Sequence, residues 1–172
     1  MEGRRRERRR DGVGALNLVA VLAPGALFAI GLAIVAGRPG FEFLEHASEL
    51  PAELFVVAAC GTLATACGIL DWRYHRAGRR RVPRAEQKVE AVALVGGGAP
   101  LFAVMSVASV SHRPWPLLVA AVVLAAATTV AIVHDERRFH GRCSRYETLL
   151  HRGLVLGNAA AWLAWWHWCA TR

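Results

Sequence analysis

Five stretches of this sequence are apolar and long enough, or nearly so, to cross a lipid bilayer, and blocks of arginine separate them. A spanning helix needs ~20 largely apolar residues, because it rises ~1.5 Å per residue through a hydrocarbon core of ~30 Å. No water reaches that core to satisfy peptide groups, so a run of this kind folds as a helix. The stretches are 13–36, stopped by Gly37-Arg38-Pro39-Gly40; 52–70, after a Pro51 suited to a first helical turn; 89–110, with Gly96-Gly97-Gly98-Ala99-Pro100 in its middle; 116–133; and 149–169. The expected fold is an all-α integral membrane bundle of five up-and-down antiparallel helices, with four as the minimum. Residues 1–12 form an arginine-rich segment ahead of a single bundle domain, 13–172.

A formal charge of +8 and a pI near 10.6 would suit a nucleic-acid partner in a soluble protein. Such a module spreads its basic residues over a folded, solvated face beside groove-reading or aromatic elements. Here 55% of the residues are apolar, and the bases fall in short runs between uncharged spans. The bilayer is therefore the expected partner, and nucleic acid is not. The bases also set an orientation, because short loops rich in Lys and Arg stay in the cytoplasm. Arg4, Arg5, Arg6, Arg8, Arg9 and Arg10, then Arg73 to Lys88, then Arg137 to Arg152 all fall on one side, whereas the other has only Arg38, Arg113 and Arg172. Five spans with the N-terminus inside the plasma (inner) membrane and the C-terminus outside satisfy every loop. The first apolar run exceeds a signal-peptide core of ~7–15 residues and lacks an A-x-A site, so it reads as a retained helix.

Other features have packing explanations. Cys60 and Cys67 share a helical face, while Cys143 and Cys169 fall at opposite ends, so neither a disulfide framework nor a Cys-x-x-Cys metal site is indicated. Gly153 and Gly157 give the last helix a small-xxx-small face. Trp115, Trp162, Trp165, Trp166 and Trp168 fit an aromatic belt at headgroup depth. Glu49, Glu53, His46, His112 and His167 read as interfacial or loop residues without a role.

Chemistry concentrates where ionisable residues end the apolar runs on the arginine side. Asp71 closes the second helix, Glu90 opens the third, His134-Asp135 closes the fourth and His151 stands near the start of the fifth. One turn farther come His75, Glu86, Arg138 and Glu147, with Glu136 and His140 close by. Asp71/His75, Glu86/Glu90 and Glu147/His151 each have i,i+4 spacing, which puts the members of a pair on one face. Carboxylates and imidazoles offered by several facing helices suit a hard or borderline metal ion. The proposed ligands are Asp71, His75, Glu90, His134, Asp135, Glu147 and His151, with Glu86 and His140 orienting them or substituting for them.

The ligand types resemble those of di-iron carboxylate bundles, although the Glu-x-x-His signature of such bundles is absent, as are the histidine clusters of membrane desaturases. The expected cofactor is a divalent metal ion, iron among the candidates, serving an oxidoreductase or hydroxylase that acts on a lipid-soluble substrate. Haem between two of His75, His134 and His151 is the alternative cofactor. A different class of reading is a non-catalytic membrane subunit whose polar rim docks a membrane or cytoplasmic protein. Interfacial ion pairs at helix ends would account for each residue singly.

Overall fold

A computed structural model describes residues 2–77, 83–139 and 143–172, with side chains from Leu18 onward except that of Arg84. The elements are α1 (Glu2–Val35), two short 3₁₀ turns (Glu42–Glu45 and Ala47–Glu49), α2 (Ala52–Arg76), α3 (Arg84–Ala91), a π-helical segment (Val92–Gly98), α4 (Ala99–Val110), α5 (Trp115–Phe139) and α6 (Arg145–Thr171). No strand occurs among the described residues. Among the described residues, four helices are long and apolar enough to cross a membrane: Leu18–Val35 of α1, α2, the continuous rod from Ala85 to Val110, and α5.

α6 is not among these four, and it packs along α2 from end to end. Glu53 at the start of α2 meets His167 near the end of α6, at 2.7 Å. Gly157 lies against Cys60 and Ala64, and Gly153 against Cys67. His75 at the end of α2 meets Glu147 at the start of α6, at 3.5 Å. The helices thus run antiparallel and in step over their whole lengths. Small residues make this close approach available. A Cβ on Gly157 would stand 2.9 Å from the Cys60 carbonyl oxygen and 3.0 Å from the Ala64 Cβ.

Local sequence chemistry sets the ends of these rods. Gly37 and Gly40, at φ 75° and 85°, turn the chain after α1 in a conformation that L side chains rarely adopt. The exposed Glu42 carboxylate accepts from the Gly40 N–H at 2.9 Å. Its own backbone N–H and that of Gly40 hold its pKa below the usual carboxylate value. Ser144-Arg145-Tyr146-Glu147 reads as a capping box, and the Glu147 N–H does donate to the Ser144 hydroxyl, at 3.2 Å. Tyr74 OH lies 3.2 Å from the same hydroxyl, tying the end of α2 to the start of α6.

The glycine run 96–98 is neither a simple kink nor a break. It lies in the π segment, which widens the turn and re-phases the rod so that Glu86 and the distant Met105 both face inward and are buried. Thr128 of α5 packs directly on Gly97, where a Cβ would collide with its side chain. The Thr128 hydroxyl donates back to the Leu124 carbonyl at 2.8 Å, and its oxygen is the side-chain atom that stands nearest Gly97.

The helical rods present two different ends. At the Trp-rich end, Phe41, Leu54, Val57, Met105, Ala108, Leu118, Ala121, Trp165, Trp168 and Cys169 form an apolar core. Trp165 and Trp168 are buried there, which corrects their expected place in a headgroup belt. Phe28 of α1 meets the Trp165 ring edge-on at 4.8 Å, and the Trp165 indole N–H donates to Ser109 at 2.7 Å. Interhelical contacts therefore use the Trp165 indole on both its apolar and polar sides. Trp115 remains exposed, as a belt residue would be. None of the α1 span is buried, as expected for a helix outside the main bundle, although Val21 reaches Gly68 of α2. The opposite, Arg-rich end has a polar interior.

Candidate functional site at the Arg-rich end

Three carboxylates from three helices are withdrawn from the surface here. Glu86 of α3 is 0% exposed, Asp135 of α5 is 3% and Glu147 of α6 is 2%. Glu86 and Glu147 rank with Met105 and Leu118 among the largest fully buried side chains of the described residues. Removing a carboxylate from water costs several kcal/mol unless other charges or hydrogen bonds offset it. This end is therefore organised around charge.

α2 supplies the histidine that links two helices. His75 Nε2 lies 3.5 Å from Asp71 Oδ2 on its own helix and 3.5 Å from Glu147 Oε1 on α6. The i,i+4 spacing of Asp71 and His75 gives the first contact, and the antiparallel register of α2 and α6 gives the second. The other carboxylate oxygen of Asp71 is buried without a hydrogen-bond partner. Glu90 of α3 stands close enough to Glu86, Asp135, Asp71 and His75 for their charges to act on it. Helices α2, α3, α5 and α6 thus converge their ionisable residues at one end, as the i,i+4 pairs predict.

Some expected members fall elsewhere. His151 meets Glu136 of α5 at 3.4 Å and forms a second carboxylate–imidazole contact. The structure does not bring His134 into the cluster. It is exposed beside Arg137 and Arg138, because the residue next to the inward-facing Asp135 is turned ~100° around the helix. His140 lies outside the described residues. Among the described residues, no three His, Cys, Asp or Glu side chains form a group arranged to hold a metal ion.

The Trp-rich end holds polar pairings that the sequence reading left without a role. Glu53 and His167 form a 2.7 Å contact although 114 residues separate them. Arg172 stacks over Phe41 at 4.4 Å and Trp168 at 4.7 Å, and burial draws its pKa below the usual value. The signal for the Glu53–His167 pair was the small-residue stripe: aligning Cys60, Ala64 and Cys67 with Gly157 and Gly153 brings Glu53 opposite His167.

Comparison with protein families, with curated proteins and with solved structures finds no match to this chain.

Proposed function

We propose that this integral membrane protein acts through the carboxylate–imidazole cluster at its Arg-rich end, that the cluster binds a divalent metal ion, and that this end faces the cytoplasm of a plasma (inner) membrane. The burial of Glu86, Asp135 and Glu147 on three different helices carries the reading. A chain that otherwise buries apolar side chains has concentrated anionic groups at one level, and ionisable residues inside membrane bundles typically mark functional sites. Donors separated by about 3.4–3.5 Å have the spacing of neighbouring ligands around a tetrahedral ion with bonds of ~2.1 Å. His75 stands at that spacing from both Asp71 and Glu147. Glu86, Glu90 and Asp135 would balance the ion's charge and orient its ligands. An oxidoreductase or hydroxylase acting on a lipid-soluble substrate is the activity such a site would serve, with iron among the candidate metals. The arginine blocks support the orientation.

Haem is less well supported. It needs two imidazoles facing each other across an apolar slot, whereas His75 and His151 each contact carboxylates and His134 points away.

A second reading rests on the lack of a ready three-ligand group among the described residues. On that reading the cluster is a polar lock between helix ends, and the protein is a non-catalytic subunit that docks a membrane or cytoplasmic partner. Metal analysis of the detergent-purified chain, equilibrated with iron, manganese or zinc and then desalted, separates the two. A metal site retains about one ion per chain, and the Asp71→Asn, His75→Gln, Glu147→Gln triple variant loses it. Substoichiometric metal that is unchanged in the variant would leave the polar lock.

A further inference from the structure

Over its last residues, α5 sorts its charges by sign. Asp135 turns into the bundle, and Glu136 reaches across to His151 of α6. His134, Arg137 and Arg138 are exposed. With Thr129, Val130 and Val133, all on one face of α5, they line a shallow, open cleft of about 590 Å³. Positions 130, 134 and 137/138 make one stripe of the helix. None of the three bases is engaged by a carboxylate among the described residues. The Thr129 hydroxyl is turned back to the Ala125 carbonyl at 2.8 Å, so the cleft is apolar on the membrane side of His134.

Arginines in a last helical turn also offset the helix dipole. That role needs neither the exposed imidazole nor the adjoining valines. A half-basic, half-apolar cleft where an apolar span ends has the composition of an amphiphile site. Guanidinium groups present parallel N–H donors that match phosphate oxygens, and they do so at headgroup depth here.

We propose that this cleft binds an anionic phospholipid, its phosphate held by His134, Arg137 and Arg138 and its acyl chain laid over Val130 and Val133. A zwitterionic lipid offers the same chain, but its own cation opposes the three bases. The site lies on the opposite side of α5 from the buried cluster and does not depend on a metal there.

Native mass spectrometry of the full chain in detergent, titrated with phosphatidylglycerol, phosphatidylcholine or inorganic phosphate, tests the proposal. Phosphatidylglycerol is expected to bind at least about 10-fold more tightly than phosphatidylcholine. The Arg137→Gln, Arg138→Gln variant is expected to weaken it about 30-fold, given ~1 kcal/mol for each arginine near an anionic surface and ~1.4 kcal/mol per decade. Arg152→Gln, an exposed arginine on α6, is expected to change nothing. Because the substituted side chains are exposed, an unchanged melting temperature in lipid-free detergent confirms that the variant is folded. Equal binding of the two lipids, or a loss in Arg152→Gln as large as in the double variant, overturns the site. Displacement of phosphatidylglycerol by millimolar phosphate would reduce it to an anion site without an acyl component and overturn the lipid assignment.

Discussion

At the Trp-rich end of the α2–α6 pair, Glu53 of α2 meets His167 of α6 at 2.7 Å, with the histidine 61% exposed. At the Arg-rich end the roles are exchanged. Glu147 of α6 meets His75 of α2 at 3.5 Å, with the glutamate almost fully buried. The first pair is short because it is a single surface contact with freedom to optimise its geometry. The second is longer because His75 also faces Asp71, and because further carboxylates stand behind it. An apolar core lies beneath the first pair and an acidic interior surrounds the second. The same residue types on the same two helices therefore do different work. One contact trims a surface, and the other belongs to a buried charge cluster that packing alone does not require.

Both ends depend on the glycine seam between them, so the largest expected effect comes from disturbing it. Gly157→Ala places a Cβ against the Cys60 carbonyl and Ala64, which are backbone and a short side chain that cannot move aside. Destabilisation of about 1–3 kcal/mol is expected, read as a lowered melting temperature in detergent. In Gly153→Ala the nearest atom is the Cys67 sulfur, which can rotate away, so the loss should be smaller. Equal losses at the two glycines would show that the seam does not set the spacing of the two ends.

The next effect is at the buried cluster, where removing a charge is expected to stabilise the protein. Glu90 is acted on by three other carboxylates and, with the opposite sign, by His75. Glu90→Gln keeps its shape and removes one like charge, so the metal-free protein should become about 1 kcal/mol more stable. A site shaped for function rather than stability behaves in this way. A loss of 3 kcal/mol or more would instead make Glu90 one partner of a fixed buried ion pair and would favour the polar lock.

Much of this contrast was legible in the sequence, and the missing parts share a cause. Apolar length was enough to give the helices, because a bilayer leaves few alternatives to them. The i,i+4 pairs Asp71/His75 and Glu86/Glu90 were enough to give the polar layer, because spacing within a helix is fixed. What failed was the assignment of faces. The sequence offers His134 and Asp135 to one site, but adjacent residues on a helix diverge by ~100°, and only tertiary packing determines which of them faces inward. The burial of Trp165 and Trp168 is illegible for a similar reason. A tryptophan near a helix end fits either a belt or a core, and the neighbours that decided for the core, Phe28 and Phe41, come from distant parts of the chain. The π segment is not legible either, since three glycines signal freedom without specifying how the helix will use it.

The smallest effect expected is at the Glu53–His167 pair, and it tests whether that end is as ordinary as its exposure implies. A double-mutant cycle with Glu53→Gln and His167→Gln isolates the coupling between the two side chains from their other contacts. An exposed pair of this kind couples by ~0.2–1 kcal/mol. In 1 M salt, where the Debye length falls to ~3 Å, the coupling should shrink toward zero. Glu147 is 2% exposed and Asp71 and His75 are 19% and 18% exposed, against 61% for His167, so substitutions there should be less sensitive to salt. A Glu53–His167 coupling above ~2 kcal/mol that persisted in salt would mean that the pair is effectively desolvated. The comparison would then invert, and the cleft of about 620 Å³ lined by Glu53, His112 and Arg172 would become a second polar site competing with the buried cluster.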